Sequence, residues 1–548
     1  MGNAYAWLVR RYQPRGPVVI RNMSKASGSE KLSYLTSTHR DYQKHAFKWR
    51  RCRDFIAGED ALRAHDLSIW SDGLATIVTN TVTLASSRVP SRSGFVDKCA
   101  SAYILPTSPK MLPSEYSLYL FRGHYYPVVE PSKSSYIGQV FSKTPRIELP
   151  ADAVKDLTLD INLKGTPLIL FAKNILDEIL SVGRVGVIVD HPPVDPAVQL
   201  TMTERSLLGA RPYFATYRAE DILDWDEDRV GNRWQTVYIK LREEVRRPDG
   251  YDYNYRELVL AGEKYFQIKW ARSNSKGEYR SEIIKPRQRD SNSLGHIPFY
   301  VFSPRGLGLA PEKPPLEDFI TLVLEFYQAN VEYANARYAV AQPTPFICGM
   351  PREDLDNLVL GGMNAIVTEK GKSEADAKYL EFTGQGLSTL DVALKGIEAR
   401  LSRLGSRILM QDKASAESAE ALRVRASGEE ATLADIADSE SRIMTAALND
   451  ALEMGYGDGK AEFELPKEYS DIKIDAAELK ELRESVKANL ITFKDYLRIL
   501  RKAGKIGEDR TDEEIIAELE SQKASEESSL EDKLMKATAA AKAVQVSA

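Results

Sequence analysis

Cysteine is nearly missing from this chain: three in 548 residues, at Cys52, Cys99 and Cys348, isolated and odd in number. Neither a disulfide framework nor a zinc knuckle follows from them, and thiols so sparsely used suit a reducing cytoplasm. Histidine is scarce as well, and none of the six pairs with another at metal-binding spacing. No metal or other cofactor is expected. No apolar run approaches the ~20 residues that span a bilayer, which leaves no membrane partner. The start, Met1-Gly2-Asn3-Ala4-Tyr5-Ala6, has the glycine of a myristoylation signal but alanine where serine or threonine belongs, and no apolar signal core follows. Neither export nor a lipid anchor is expected.

Catalytic signatures are equally thin. Neither a Gly-x-Ser-x-Gly elbow nor a His-Glu-x-x-His pair is present. Gly371-Lys372-Ser373 looks like the end of a phosphate-binding loop, yet Ile366 stands where that loop requires its first glycine, and a surface turn is the better account. Asp190-His191-Pro192, with Asp195 nearby, sits at a strand end; the bland reading is a turn capped by aspartate and fixed by proline. Basic residues among aromatics, as in Trp49-Arg50-Arg51 and from Tyr265 to Arg272, allow nucleic-acid stacking, but their alternation fits strand packing better. The chain is not expected to be an enzyme.

What is present describes a folded protein: 43% hydrophobic and 28% charged residues. The length allows about three to four ordinary domains or one elongated subunit. The net charge of -5 conceals an asymmetry, since residues 1–53 hold twelve Lys/Arg against two acids while residues 462–532 hold twenty acids against twelve bases. A nucleic-acid-binding protein of uniformly basic character would look different. The first forty residues, with Arg10, Arg11, Arg15, Arg21 and Lys25 among Gly, Pro and Ser, read as an extended arm. Such an arm is either a solvated tail or a grip on a neighbouring subunit or nucleic acid.

The most ordered stretch runs from Leu387 to Ile408. Leu387, Leu390, Leu394, Ile397, Leu401, Leu404 and Ile408 repeat in a three-four rhythm over three heptads. That spacing puts one narrow apolar seam on a helix, which wants a neighbouring helix; a buried amphipathic helix of one domain is the alternative. Upstream, Leu316 to Tyr338 is a second helical pattern opened by Pro314-Pro315. Between them lies a compact insert, with strand-like runs at Phe346-Ile347-Cys348 and Tyr379 to Phe382 and a short helix from Asp354 to Leu360. After a polar break at Gln411 to Ser415 a third helical stretch runs from about Ser418 to Met454, weakened at Ser427-Gly428, where a bend is plausible.

Earlier in the chain, helical patterns occupy Tyr42 to His65, Ser114 to Phe121 and Leu168 to Val182, and the β-branched run from Gly183 to Asp190 reads as a buried strand. Further strands are expected at Tyr213–Tyr217, Trp234–Leu241, Arg256–Leu260, Tyr265–Trp270 and Ile297–Phe302, giving an α+β fold with a largely antiparallel sheet. Near the end, Ala461 to Leu465 reads as a strand, and helices are expected from Asp475 to Ala488, Thr492 to Ala503 and Thr511 to Glu520.

The segments Pro311 to Pro315, Tyr379 to Leu387 and Ala416 to Arg423, and above all the order of elements, resemble the portal proteins of tailed bacteriophages over roughly residues 40–520. The resemblance implies a portal fold divided into an arm (1–40), a mixed α/β wing (41–311), a first stem helix (312–342), a small α/β clip (343–382), a second stem helix (383–410), a tunnel loop (411–416), a long kinked wing helix (417–456), a helical crown (457–524) and a frayed tail (525–548). It implies a virion protein, assembled in the host bacterial cytoplasm, that forms a dodecameric homo-oligomeric ring at one capsid vertex and passes double-stranded DNA without sequence preference. Its partners are then the terminase large subunit, a head-tail adaptor protein and the major capsid or scaffold protein. Candidate residues follow: Gln411, Asp412, Lys413 and Ser415 in the tunnel loop, Glu353, Asp354, Asp356, Lys370, Lys372 and Glu374 on the clip, and the seven seam residues for packing between stems. The alternatives are another virion connector, or a cytoplasmic enzyme using Asp190 and His191.

Overall fold

The computed structural model describes residues 28–67, 102–105, 113–192, 210–230, 232–248, 250–262, 264–273, 278–284, 286, 294–341, 344–348, 376–380, 385–409, 419–457, 459–467, 476–488, 491–502, 513–518 and 521. The fold is α+β, with antiparallel sheets. The chain divides into two compact units, residues 1–467 and 468–548.

The first unit opens with helices α1 (Gly28–Thr36), α2 (Arg40–Ala57), α3 (Pro113–Arg122) and α4 (Val129–Val140), then strand β1 (Arg146–Glu148) and helices α5 (Ala151–Leu159) and α6 (Leu168–Val182). Strands β2 (Val185–Asp190) and β3 (Tyr213–Arg218) lead into a five-stranded meander of β4 (Ile222–Val230), β5 (Arg233–Arg247), β6 (Gly250–Ala261), β7 (Lys264–Ser273) and β8 (Glu278–Ile284). Strand β9 (Phe299–Phe302) returns to β2. Helix α7 (Glu317–Ala341), strands β10 (Thr344–Cys348) and β11 (Asp376–Leu380), helix α8 (Gln385–Leu409), the long helix α9 (Ala419–Gly455) and strand β12 (Glu462–Glu464) follow.

Helix α6 shows how local sequence sets this order. Pro167 precedes its first turn, apolar residues at 168, 171, 172, 175, 176 and 179 are buried, and Gly183 ends it in the left-handed region at φ 74°. The chain then turns at once into β2, whose six residues are all buried. Strand β2 is the centre of a three-stranded sheet in the order β3-β2-β9, antiparallel to both neighbours. It can be buried on both faces because its first five residues, Val185 to Val189, are glycine or β-branched.

The meander packs its inner face on α1. Leu35 is fully buried with Tyr238, Tyr255, Phe266, Ile268 and Trp270. Two charges lie in that contact. Glu257 accepts hydrogen bonds from Tyr34 Oη (2.6 Å), Tyr238 Oη (2.6 Å) and Trp270 Nε1 (2.7 Å), and the Lys240 ammonium donates to Tyr34 O (3.0 Å) and Ser37 Oγ (2.7 Å). Burial holds the lysine below its ordinary pKa, against the pull of Asp224 and Glu257.

Several elements differ from the sequence reading. The extended-arm expectation for residues 1–40 fails over Gly28–Thr36, which form α1, while residues 1–27 lie outside the described residues. Helices α4 and α5 and strands β1, β4 and β8 were not expected. The long helix runs through Ser427 and Gly428 without a break in its helical bonding. Strand β12 pairs with β1 in the first unit, so residues up to 467 belong there, whereas the expected crown began at 457.

In the second unit α10 (Ala476–Lys487) and α11 (Phe493–Lys502) form a small helical module. Thr492 caps α11: its Oγ1 accepts from Asp495 N at 3.1 Å and donates to the Asp495 carboxylate.

Helix α7 is where the first unit's helices meet. Lys48 and Arg51 of α2 pair with the buried Glu317 at 3.2 and 3.1 Å, and the turn after α3 approaches so closely that a Cβ built on Gly123 would lie 2.7 Å from Val331 Cα. Backbone cannot yield cheaply there. Gly123→Ala is expected to cost about 1–3 kcal/mol in urea unfolding; a variant as stable as the parent would mean that the turn moves freely off α7.

Candidate functional site

The two helices that carry the sequence's strongest periodicity lie side by side. Strands β10 and β11 pair antiparallel from Thr344↔Leu380 to Cys348↔Asp376 and so close a helix–strand–strand–helix hairpin. Arg400 of α8 donates to Glu325 of α7 at 2.7 Å, and the charge of Lys395 interacts with Tyr333, which fixes the pair as antiparallel. Helix α8 also packs on α4.

Burial along the pair is graded. On α8, Ile397 and Leu401 are buried, whereas Leu387, Leu390 and Leu394, nearer the strands, are half-buried. On α7, Phe319, Ile320, Val323, Phe326, Tyr327, Val331 and Ala334 are buried, and Arg337, Tyr338 and Ala339 near its end are exposed. Since the helices are antiparallel, the bare end of one lies beside the bare end of the other. The body thus holds one end of the pair most closely; toward the strand end the cover among the described residues is the partner helix together with Arg122 of α3, which donates to Asn335 Oδ1 at 3.0 Å and lies over the Tyr338 ring at 3.7 Å. Val392 is 70% exposed on the outward side of α8.

The structure brings the seam residues onto one helix, though the side chains of Leu404 and Ile408 lie outside those described. The clip candidates Glu353, Asp354, Asp356, Lys370, Lys372 and Glu374 and the tunnel-loop candidates Gln411, Asp412, Lys413 and Ser415 lie outside the described residues.

Asp190 and His191 are occupied structurally. The buried Asp190 carboxylate accepts from His191 N (2.9 Å), Gln267 Nε2 (3.2 Å), Arg256 Nη1 (3.1 Å) and Tyr213 Oη (3.4 Å). Burial raises its pKa while Arg256 and the hydrogen bonds oppose the shift. His191 Nδ1 bonds Pro192 O at 2.8 Å and not the aspartate. A carboxylate so fully engaged joins β2 to the meander. Among the described residues no group of three His, Cys, Asp or Glu side chains is placed to hold a metal. Burial pushes the Cys52 thiol up to about 12, which leaves it unreactive.

Sequence reasoning passed over Glu440, in the middle of α9. It is fully buried, and neither carboxyl oxygen has a hydrogen-bond partner among the described residues. Burial alone pushes its pKa well above the ordinary carboxylate value, with no charged side chain acting on it. The signal was present: buried Leu433, Ile436, Ala437, Met444, Ala447 and Leu448 define the seam of α9, and an acid stands at one of its positions. Further along α9, Asp450 accepts from His296 Nε2 (2.8 Å) and Tyr300 Oη (2.6 Å), and the bond to Asp450 raises the histidine's pKa. Both shifts carry the same sign for stability. Each folded-state group holds a proton that the unfolded chain releases, so stability falls as pH rises from the unfolded toward the folded value.

Comparison with known proteins gives the following. Residues 315–454 match the family model described as "Domain of unknown function (DUF4055)", a span that begins just before α7 and ends within the last turn of α9. No curated relative matches the chain. Among solved structures the chain is similar to one in the neck of an empty GTA particle computed with C6 symmetry, at 12% identity and a TM-score of 0.36, covering 68% of this chain and 90% of that one. It is also similar to a chain in the virion of a native gene transfer agent particle (14%, TM-score 0.32, 73% and 94% covered) and to one in the neck of a native GTA particle computed with C12 symmetry (14%, 0.33, 68% and 88%).

Glu440→Met should raise the urea midpoint by the equivalent of about 1–3 kcal/mol near neutral pH. The gain should shrink toward pH 4, where the glutamic acid is protonated in the folded and largely in the unfolded chain. An equal gain at pH 4 and pH 8 would show that the side chain is not held neutral.

Proposed function

We propose that this chain is a structural, ring-forming subunit of a phage-like particle and, more specifically, a portal protein. The observation that carries the reading is the graded burial of the α7–α8 pair. A seam half-covered within one copy is completed when copies stand side by side around an axis, and a head-to-tail contact repeated until it closes makes a ring. Each helix has 25 residues, about 37 Å at ~1.5 Å per residue, a length suited to a channel wall.

On this reading residues 312–342 and 383–410 are the stem, 343–382 the clip, 411–416 the tunnel loop, 417–456 the wing helix, and 41–311 the wing. The crown is the helical part of 457–524, and the ring is a dodecamer in the virion. A conduit must release what it conducts. Duplex DNA carries about one charge per 1.7 Å, so a lining rich in Lys and Arg would make many phosphate contacts and stall movement. Gln411, Asp412, Lys413 and Ser415 are close to neutral together, which favours weak contact without sequence preference. The charged clip residues Glu353, Asp354, Asp356, Lys370, Lys372 and Glu374 suit docking of the terminase large subunit during packaging and of a head-tail adaptor afterwards, with capsid or scaffold protein around the wing. The occupied state of Asp190 and His191 speaks against an enzymatic role for them.

Electron microscopy of the purified 61.4 kDa chain should show rings with a central hole. A compact monomer at all concentrations overturns the proposal. Reversing the charge of the six clip residues should leave rings intact while abolishing motor docking; loss of the rings themselves would take the clip assignment away. Linear duplex should elute freely from the ring at physiological salt.

A further inference from the structure

Three helices of the first unit lie in a row with α7 in the middle. Tyr333 of α7 meets the charge of Lys395 on α8. Val331 meets the turn after α3, and Asn335 accepts from Arg122 Nη1 (3.0 Å) and donates to Tyr119 O (3.1 Å). Val331 and Asn335 each stand two positions from Tyr333, about 200° around the helix. Helices α8 and α3 therefore hold nearly opposite flanks of α7.

The two flanking helices also stand at one height. On α8, Lys395 lies beside Tyr333 and Arg400 beside Glu325, so the numbering falls on α7 as it rises on α8. Helix α3 runs the same way, since Tyr119 O bonds Asn335 and His124 N donates to Asn330 Oδ1 at 3.0 Å. Val392, three residues before Lys395, and Leu118, one before Tyr119, accordingly fall beside the same turn of α7.

At that height both outward faces are apolar, and they differ in relief. On α8, Val392 is exposed together with Gly396 and Ala399, and a Cβ built on Gly396 would meet nothing within 4 Å. On α3, Leu118 and Phe121 stand out from one line of the helix, 57% and 52% exposed. One face is shallow and the other carries two large side chains. The charges agree as well. Arg63 lies over the Phe121 ring at 4.5 Å and donates to Gly123 O at 2.9 Å, while the exposed Glu398, one turn beyond Lys395, occupies the corresponding height on α8.

A rotation about an axis along these helices preserves height, so it sets one flank of a copy against the opposite flank of the next. We infer, given the ring proposed above, that Leu118 and Phe121 of one copy seat on the Val392 face of α8 in its neighbour, with Glu398 turned toward Arg63. The partner of each face is thus a second copy of this chain, and the repeated contact is α3 on α8.

A cross-link tests it, with Leu118→Cys and Val392→Cys placed in one chain that also carries Cys99→Ser and Cys348→Ser. Within one copy the axes of α3 and α8 are roughly 16–20 Å apart across α7, so a short bismaleimide can join the two cysteines only between copies. The doubly substituted chain should give a ladder of linked subunits on a denaturing gel, and each single cysteine should give none. Rings seen by electron microscopy without a ladder overturn the inference and leave the ring standing. Leu118→Cys linking to itself also overturns it, because the contact is then two-fold. A parent chain that forms no rings overturns both. Should the doubly substituted chain fail to fold, Leu118→Asp decides: it should raise the concentration at which rings appear by at least about tenfold at an unchanged urea midpoint, and unchanged assembly overturns the inference.

Discussion

Helix α7 is buried most deeply over its first two-thirds, and much of the first unit's organisation follows from that. Its first turn is clamped by Lys48 and Arg51 on Glu317, its middle is pressed by the Gly123 turn, and its apolar flank is buried as far as Ala334. Beyond that point Arg122 of α3 donates to Asn335 Oδ1 and lies over the Tyr338 ring. A rod gripped by the body along its length and accompanied by an antiparallel helix keeps its direction because both helices are continuous, and the strands that join them pair with each other.

Charge in the interior is arranged so that nearly every ionised group meets several donors or acceptors. Arg53 lies between Glu178 and Glu220, Asp190 receives four hydrogen bonds from three elements, and Glu257 receives three. Such groups join elements distant in sequence, since removing one partner leaves a buried charge short of its bonds. Arg184 is a partial exception. It is fully buried, bonds only Leu309 O among the described residues, lies over the Trp225 ring at 4.0 Å, and is lowered by burial to about 9. The aromatic face supplies part of what a carboxylate would. Glu440 has neither.

The sequence was most legible where one periodicity ran without interruption. Helix α6 and strand β2 stand where three-four spacing and a β-branched run put them, because there the pattern of burial is the pattern of residues. It was least legible where polar residues serve the fold. Strand β4 carries four acids in five positions and has no strand-like run of apolar residues, yet three of those acids bond its own backbone. Helix α4 buries Ser132 and Lys133, the latter on Asp177, so its apolar stripe is interrupted. At the candidate site, the identity of the seam could be read from spacing. Its uneven cover could not, because that depends on which body element, here α4, reaches how far along α8.

The contact between α1 and the meander bears on how the molecule is made. Tyr34 and Ser37 reach partners on β5 and β6 that lie 203 to 223 residues later in the chain. During synthesis the amino-terminal helix must therefore wait, without its sheet, until more than a third of the protein has been translated, and the Glu257 carboxylate and Lys240 ammonium find all their bonding groups only when it returns. Contacts of such long range fold slowly. The cell is left with a nascent chain whose helix α1, made early, is among the last elements to settle, and a form begun after residue 37 would never complete the polar core of its sheet.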